Sequence, residues 1–263
     1  CPGCGDYAVF NAFLKMLVDL RLPPEKVAVA SGIGCSGRFP AFVRAYGFHG
    51  VHGRALPLAT GIKLANPELT VFAVGGDGDA FSIGGGHFPH AARRNVDITY
   101  IVMDNSIYGL TKGQPSPTSP VGMRRKASPF GTVETPLNPI LMALAYNTSF
   151  VARCFSSQVR EMEAIFQRAT QHRGFSFVQV LSPCVTFNDT YDRYRHITAP
   201  VPTDHDIRDR TAAFQLALNE ETLYLGVFYE RDDSSYEEKL KAREAELRAG
   251  NNYLQELVAG FRC

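Results

Sequence analysis

Two short polar segments in this sequence are spaced so that together they can hold a metal ion and a phosphate group. The first, Gly75-Gly76-Asp77-Gly78-Asp79, follows a predicted buried strand and precedes a predicted helix. Glycines let the main chain approach a phosphate, and the N–H groups at the start of a helix attract an anion. The segment is not GxGxxG and lacks the lysine of a P-loop, so it predicts neither dinucleotide nor ATP binding. Asp77 instead offers a hard oxygen, which suits Mg²⁺ bound beside phosphate oxygens.

The second segment runs from Asp104 to Gly109 and follows the next predicted strand, with 26 residues between Gly78 and Asn105. That distance is one βαβ crossover, so the carboxyl ends of neighbouring strands bring both segments to one ion. Each segment alone is a common turn, but the pairing favours a site. Together they resemble the signature of thiamine diphosphate (TPP) enzymes, GDG followed by Asn. The resemblance implies that Asp77, Asn105 and the main-chain carbonyl of Ile107 are the Mg²⁺ ligands.

The cysteines form a second group with chemical potential. Cys1 and Cys4 make a CxxC motif, which is compatible with zinc, an iron–sulfur cluster or a dithiol. Zinc needs two further ligands, and His49 and His52 are the candidates. Alternatively, Cys35 and Cys184 each follow a predicted strand and lie at the same sheet edge as Asp77. Four thiolates suit a [4Fe–4S] cluster, and the proposed ligands are Cys1, Cys4, Cys35 and Cys184. Cys154 and Cys263 receive no role.

Composition limits the class of protein. The chain has 263 residues, of which 45% are hydrophobic, so we expect a sizeable core and not disorder. Lys and Arg exceed Asp and Glu by only one, 27 against 26, which argues against nucleic acid or an acidic membrane as a partner. The apolar runs are too short to span a bilayer, and no secretion signal is visible, so we expect a cytoplasmic protein. The sequence opens on Cys1, so we expect the natural N-terminus upstream.

Apolar periodicity alternates between the helical and strand patterns. Helices are predicted after Asp6, a candidate N-cap, and over 80–94 and 157–172. Buried strands are predicted over 26–31, 69–75, 98–103, 150–152 and 176–181. Strands without polar alternation are typical of a parallel sheet covered on both faces. The pattern predicts an α/β fold with a doubly wound, mostly parallel sheet.

Three segments interrupt this pattern. Residues 111–136 and 182–206 are irregular, and the first is long enough to be functional. Residues 230–248 are densely charged, with Glu237–Lys241 and Glu244–Arg248 at the favourable helical spacing. They predict either a solvated helix or an arm that contacts a partner. We expect one cofactor-binding α/β domain over 1–200, and a C-terminal extension over 201–263 that packs on it or on a partner subunit.

The motifs as a set closely resemble the β subunit of 2-oxoacid:ferredoxin oxidoreductases, most of all the 2-oxoglutarate branch. The resemblance covers about residues 1–200. The motifs are CPGCG (1–5), GIGCSGR (32–38), HGRALPLATGIKLANP (52–67), GGDGDAFSIGG (75–85), RRNVDI (93–98), DNSIYGLTKGQPSPTS (104–119) and SPC (182–184). It implies a TPP-binding fold, and the four cysteines above match the family's cluster ligands in order.

The resemblance also implies activity and partners. We expect oxidative decarboxylation of 2-oxoglutarate with coenzyme A to succinyl-CoA and CO₂, with reduction of ferredoxin, or the reverse carboxylation. The essential TPP glutamate is expected from a separate α subunit, in an α2β2 heterotetramer. The expected TPP neighbours in this chain are Ser36, His52, Gly76, Asp77, Gly78, Asp79, Asn105, Ile107, Gly109, Leu110 and Thr111.

Several alternatives remain open at this stage. A substrate γ-carboxylate requires a cation, for which Arg38, Arg54 and Lys112 are candidates, although structural ion pairs explain them equally well. A pyruvate-type β subunit is one alternative, although the HGRA…ATGIKLANP and YGLTKGQ…SPTS strings look more like the 2-oxoglutarate branch. A non-redox TPP decarboxylase or lyase would keep GDG and Asn but has no use for four converging thiolates. A zinc-bearing scaffold module would need neither cofactor.

Overall fold

A computed structural model describes residues 1–250 and 258–260. Its centre is an eight-stranded sheet in the order β2-β1-β3-β4-β6-β5-β8-β7. The strands are β1 (Val27–Ser31), β2 (Tyr46–His49), β3 (Thr70–Gly76), β4 (Thr99–Asp104), β5 (Phe150–Phe155), β6 (Ser176–Leu181), β7 (Thr198–Pro200) and β8 (Leu223–Glu230). All neighbouring strands pair in parallel except β5 and β8, which are antiparallel. The predicted doubly wound, mostly parallel α/β fold is confirmed.

Helices cover both faces of this sheet. They are α1 (Gly5–Asp19), α2 (Ala55–Ala65), α3 (Asp77–Phe81), α4 (Phe88–Arg94), α5 (Pro139–Ala145), α6 (Val159–Gln171), α7 (Tyr191–Ile197), α8 (Arg210–Ala217) and α9 (Tyr236–Gly250). Because side chains alternate along a strand, Val27 and Val29 join the core under α1 and α6. Ala28 and Ala30 join the opposite core, which includes residues of α2, α4 and α5. Burial on both faces explains why the central strands read as continuous apolar runs.

Two predictions about helices were wrong. The helix predicted over 80–94 is two short helices, α3 and α4, separated by a segment that contains Gly84, Gly85 and Gly86. A Cβ on Gly84 would lie 2.3 Å from the carbonyl oxygen of Asp79, so the chain passes too close to α3 for any side chain there. Asp6 does not cap α1; it lies in the first turn, and its carboxylate is used elsewhere.

The C-terminal part of the chain extends the same sheet. The segment 182–206, predicted to be irregular, contains α7 and β7. Strand β8 pairs with β5, and the N–H of Tyr236 at the start of α9 donates to the carbonyl of Asn95. Glu237 is buried and accepts from the N–H of Asp97, so it does not belong to a solvated face. The division into domains at residue 200 stays a prediction, and Cys263 lies outside the described residues.

No helix among the described residues combines the length and apolar character that crossing a bilayer requires.

Candidate functional site

The carboxyl ends of β1, β3 and β4 surround a cavity of about 540 Å³. These three strands are adjacent in the sheet, so the loops that follow them face one another. All eleven of the predicted TPP neighbours line this cavity: Ser36, His52, Gly76, Asp77, Gly78, Asp79, Asn105, Ile107, Gly109, Leu110 and Thr111. The structure therefore brings together residues that lie 75 positions apart between Ser36 and Thr111. That they bind TPP stays a prediction.

Asp77 and Asn105 meet at the base of this cavity, as their spacing predicted. Asp77 begins α3 and is almost completely buried. Its Oδ1 atom accepts from the main-chain N–H of Asn105 at 3.4 Å. The side-chain oxygen of Asn105 in turn accepts from the N–H of Ile107 at 3.1 Å, which fixes the turn after β4. The three proposed metal ligands therefore belong to one hydrogen-bonded unit.

A single hydroxyl joins two buried carboxylates beneath the cavity. Thr118 Oγ1 lies 2.8 Å from Asp77 Oδ2 and 2.8 Å from Asp104 Oδ1. Burial, and then the nearby Asp104, raise the pKa of Asp77 to about 8. A bound cation would relieve both effects, because it stabilises the ionised carboxylates. The donor set, carboxylate and amide oxygens with a main-chain carbonyl nearby, fits Mg²⁺.

The described residues that line this cavity include no lysine or arginine. A diphosphate in it therefore depends on a metal ion and on main-chain N–H groups for neutralisation. Gly78 allows close packing at this point, since a Cβ there would lie 2.3 Å from Cε1 of Tyr108. The hydroxyl of Tyr108 donates to the Gly78 carbonyl at 3.1 Å, which links the loop after β4 to α3. These features fit a diphosphate–Mg²⁺ group.

Asp79 organises the other side of the cavity. Its Oδ1 atom accepts from the N–H groups of Ile33 and Gly53, at 2.8 and 2.7 Å, and contacts His52 Nδ1 at 2.8 Å. Its Oδ2 atom has no hydrogen-bond partner and lies against Gly32, where a Cβ would be 2.0 Å away. Asp79 thus acts as a structural anchor for two loops and orients His52 at the cavity wall.

Three of the four proposed cluster cysteines surround a second cavity of about 500 Å³. Its lining includes Cys1, Cys4 and Cys35, together with the aromatic residues Tyr7, Phe10, Phe39 and Phe42. Cys35, Ser36 and Leu110 line both cavities.

Cys184 is brought to the same region by the loop after β6. A Cβ on Gly109 would lie 3.6 Å from the Cys184 sulfur and 3.7 Å from the Cys35 sulfur, so both thiols face this glycine. The Asn188 side chain, four residues beyond Cys184, donates to the Asn105 carbonyl at 2.9 Å. The cysteine loop and the proposed metal ligands are therefore directly connected. Cys154, which received no role, is buried in β5.

Asp6 ties the cysteine loops together. Its two carboxylate oxygens accept from the hydroxyls of Ser36, at 3.0 Å, and Ser182, at 2.6 Å. Burial, followed by the charge of Asp6, raises the pKa of Cys4 to about 11, and the same causes raise that of Cys35. The charge of a Cys184 thiolate further raises the pKa of Cys4 and of Cys35, because neighbouring thiolates repel one another. A bound cationic group is what would hold all of them deprotonated, and four thiols fit an iron–sulfur cluster.

The alternative zinc site finds no support in the geometry. Within residues 1–250 and 258–260, no three His, Cys, Asp or Glu side chains, the four proposed cluster cysteines included, are grouped so that they could hold a single metal ion. His52 contacts Asp79 in the first cavity, and His49 lies on the exposed edge strand β2.

The three cations proposed for a substrate carboxylate do not line the first cavity. Arg38 lines the second cavity, and Arg54 donates to the main-chain carbonyls of Gly53 and Ile83. Lys112 has a left-handed φ of 74° and is exposed, in the loop after β4. Their role in binding a substrate carboxylate stays a prediction.

Sequence reasoning missed Thr118 and gave Asp104 no role. Thr118 lies within the 111–136 segment, whose length did signal function, but its contact with Asp77 spans 41 residues and has no local pattern. Asp104 was detectable as a carboxylate at the end of a buried strand. It also accepts from the Gln179 side chain of β6 at 2.7 Å, a contact that depends on the strand order.

Two sequence profiles match the chain. The C-terminal TPP-binding domain of thiamine pyrophosphate enzymes matches residues 27–180, more than half of the chain. The C-terminal region of the pyruvate ferredoxin oxidoreductase beta subunit matches residues 184–245. The two profiles together cover both proposed cofactor regions from β1 onward.

Two named relatives are similar to the chain over most of its length, and both are oxidoreductase subunits. The chain is 47% identical, over 74% of its length, to the 2-oxoglutarate oxidoreductase subunit KorB of Mycobacterium tuberculosis. The match covers 52% of that protein, so the chain spans about half the length of this relative. It is 41% identical, over 92% of its length, to the beta subunit of 2-oxoacid:ferredoxin oxidoreductase 1 of Aeropyrum pernix, and the match covers 81% of that protein.

A solved structure has the same fold over the whole chain. It is the 2-oxoglutarate:ferredoxin oxidoreductase from Magnetococcus marinus with 2-oxoglutarate, coenzyme A and succinyl-CoA bound. The TM-score is 0.95 at 41% sequence identity, and the alignment covers 100% of this chain and 92% of that one.

Proposed function

Because this chain belongs to the family of 2-oxoacid:ferredoxin oxidoreductase β subunits, we propose that it binds TPP, Mg²⁺ and a [4Fe–4S] cluster within such an enzyme. The proposed reaction is oxidative decarboxylation of a 2-oxoacid with coenzyme A, which yields the acyl-CoA and CO₂ and reduces ferredoxin one electron at a time. The proposed substrate is 2-oxoglutarate, with succinyl-CoA as the product. The names of the Mycobacterium and Magnetococcus relatives support this choice of substrate.

The observation that carries the proposal is the wall shared by two cavities. Cys35, Ser36 and Leu110 belong both to the cavity that contains Asp77 and Asn105 and to the one that contains Cys1 and Cys4. When bound, TPP supplies an electron sink for decarboxylation, and a [4Fe–4S] cluster accepts single electrons. The shared wall favours placing the two groups next to each other in this chain.

The residues of the first cavity have distinct tasks. Asp77, Asn105 and the Ile107 carbonyl would hold Mg²⁺, and the main chain of Gly76 and Gly78 leaves room for phosphate oxygens. His52 lies in the cavity wall, where the 2.8 Å contact between its Nδ1 atom and Asp79 Oδ1 fixes the ring. Leu110 and Ile33 provide apolar wall and help exclude water.

A partner subunit is part of the proposal. TPP enzymes use a glutamate to activate the cofactor, and no glutamate occurs among the described residues that line the first cavity. Exposed apolar side chains lie on its wall, with Leu110 at 49% and Ile33 at 37% exposure. We therefore assign the glutamate to an α subunit that covers this cavity, in an α2β2 assembly.

The test is anaerobic purification of the full chain co-expressed with its α subunit. The proposal predicts iron and sulfide in equal amounts, bound TPP, and viologen reduction that requires both a 2-oxoacid and coenzyme A. A panel of 2-oxoglutarate, pyruvate and branched 2-oxoacids identifies the substrate. TPP without iron would instead favour a non-redox lyase, and a preference for pyruvate would favour the pyruvate branch.

A further inference from the structure

A row of polar side chains crosses the otherwise apolar centre of the sheet. Arg153 in β5 and Gln179 in β6 are direct partners in the strand register, and Asp104 ends the neighbouring strand β4. All three are buried, with exposures of 4%, 3% and 2%. Every other residue of β4, β5 and β6 is also buried, so these three polar side chains lie inside a continuous core.

The row is continuously hydrogen-bonded toward the proposed metal site. Arg153 Nε donates to Gln179 Oε1 at 2.8 Å, and Gln179 Nε2 donates to Asp104 Oδ2 at 2.7 Å. Asp104 Oδ1 contacts Thr118 Oγ1, which also contacts Asp77 Oδ2. Four contacts of 2.7 to 2.8 Å thus join a buried cation to the buried carboxylate that begins α3.

Arg153 determines which way the Gln179 amide points. A guanidinium only donates, so the amide end that faces it must be the oxygen, and the NH₂ end must face Asp104. Without Arg153, no guanidinium donor holds the amide oxygen of Gln179 in this orientation. The reversed orientation would place that oxygen next to the Asp104 carboxylate. Burial lowers the pKa of Arg153 to about 10, so the guanidinium stays charged at neutral pH.

The surroundings of Arg153 make it a fixed group. Its guanidinium carbon lies 5.4 Å from the centre of the Phe228 ring, and Nη1 donates to the Tyr224 carbonyl at 3.4 Å. Both partners belong to β8. No carboxylate forms a direct ion pair with Arg153 among the described residues. Arg153 is instead linked to the Asp104 carboxylate through the side chain of Gln179.

We propose that Arg153 and Gln179 are positioning residues for the Mg²⁺–diphosphate site, acting on Asp77 through Asp104 and Thr118. Gln179 and the N–H of Ser106 both donate to Asp104, and Thr118 Oγ1 bridges Asp104 Oδ1 and Asp77 Oδ2, so the position of Asp77 depends on that of Asp104. Asp77 Oδ1, whose contact with Asn105 is long, is then left for the metal ion. This inference rests on the proposed function, because it assumes that Asp77 ligates Mg²⁺.

The test compares Mg²⁺-dependent TPP binding in three variants of the co-purified complex by calorimetry. Gln179→Glu keeps the side-chain volume and the contact with Arg153 but removes the donor to Asp104. Arg153→Met removes the group that orients the amide. Cys154→Ala is the matched control, because it removes a buried group from the adjacent position of β5, whose side chain packs in the core on the other face.

We expect both network variants to lose about 10- to 100-fold in TPP affinity, the range typical of outer-shell partners of metal ligands. Cys154→Ala should bind as the wild type, and Arg153→Lys should recover part of the loss. Measurements at a temperature well below each variant's unfolding midpoint separate affinity from stability. Wild-type affinity in Gln179→Glu would overturn the inference even if Arg153→Met fails to fold. A wild-type complex that does not bind TPP would instead overturn the proposed function, and this inference with it.

Discussion

His52 and Asp79 form a contact of 2.8 Å between Nδ1 and Oδ1, at the wall of the first cavity. The same carboxylate oxygen holds the N–H groups of Ile33 and Gly53. One buried side chain at the start of α3 therefore secures the loop after β1 and the segment that precedes α2. Its role differs from that of Asp77, although only Gly78 separates them in the sequence.

We expect Asp79→Ala to destabilise the fold by about 2 to 4 kcal/mol, because it leaves several donors without their buried acceptor. Chemical denaturation measures this change. Asp79→Asn is the control for charge, since it keeps an acceptor oxygen for the two N–H groups and should cost clearly less. Equal losses in the two variants would show that the negative charge, and not the hydrogen bonding, holds the loops.

In contrast to Asp79→Ala, Asp77→Asn should weaken TPP binding without destabilising the fold. The substitution retains the volume of the side chain but removes the carboxylate proposed to ligate Mg²⁺. We expect TPP affinity measured with Mg²⁺ to fall at least about 100-fold, beyond the effect of an outer-shell change. The unfolding midpoint should change little or rise, because a buried group with a pKa raised to about 8 favours its neutral form. Near-normal calorimetric affinity would contradict the metal assignment.

Each proposed cluster ligand should be necessary for iron. Cys→Ser substitution at position 1, 4, 35 or 184 should lower the iron and sulfide content of the anaerobic complex severely. Cys154→Ser is the control, because Cys154 is buried in β5 and burial alone raises the pKa of its thiol. Full iron content in any one of the four variants would remove that residue from the ligand set.

Stability should fall in mild acid because of His172. Burial lowers the pKa of this side chain from 6.5, and Glu230 only partly offsets the effect. The unfolded chain then binds a proton near pH 6.5 while the folded chain does not, so stability is lost as the pH falls below that value. Thermal unfolding followed from about pH 8 to about pH 5 should show a steeper decline for the wild type than for His172→Gln. Parallel curves would assign the acid sensitivity to other groups.

The sequence was sufficient to predict the central strands, because β1, β3, β4 and β6 are buried on both faces and their sequences are nearly continuous apolar runs. It also placed Asp77 and Asn105 together, since both stand at strand ends one crossover apart. Gln179 was visible as a polar residue within the predicted strand 176–181, whereas Arg153 lies just beyond the strand predicted over 150–152. Only the strand order reveals that Gln179 lies between Arg153 and Asp104. The break between α3 and α4 depends on a close main-chain approach at Gly84, which no periodicity encodes.

The common wall of the two cavities has a consequence for handling the protein. Cys35 is exposed and its neighbour Ser36 lines the space beside Asp77. Oxidation of this thiol by air would alter the cavity proposed for TPP as well as the cavity proposed for the cluster. The proposal therefore predicts that aerobic preparations lose TPP and iron together, and that restoring one alone does not restore the other.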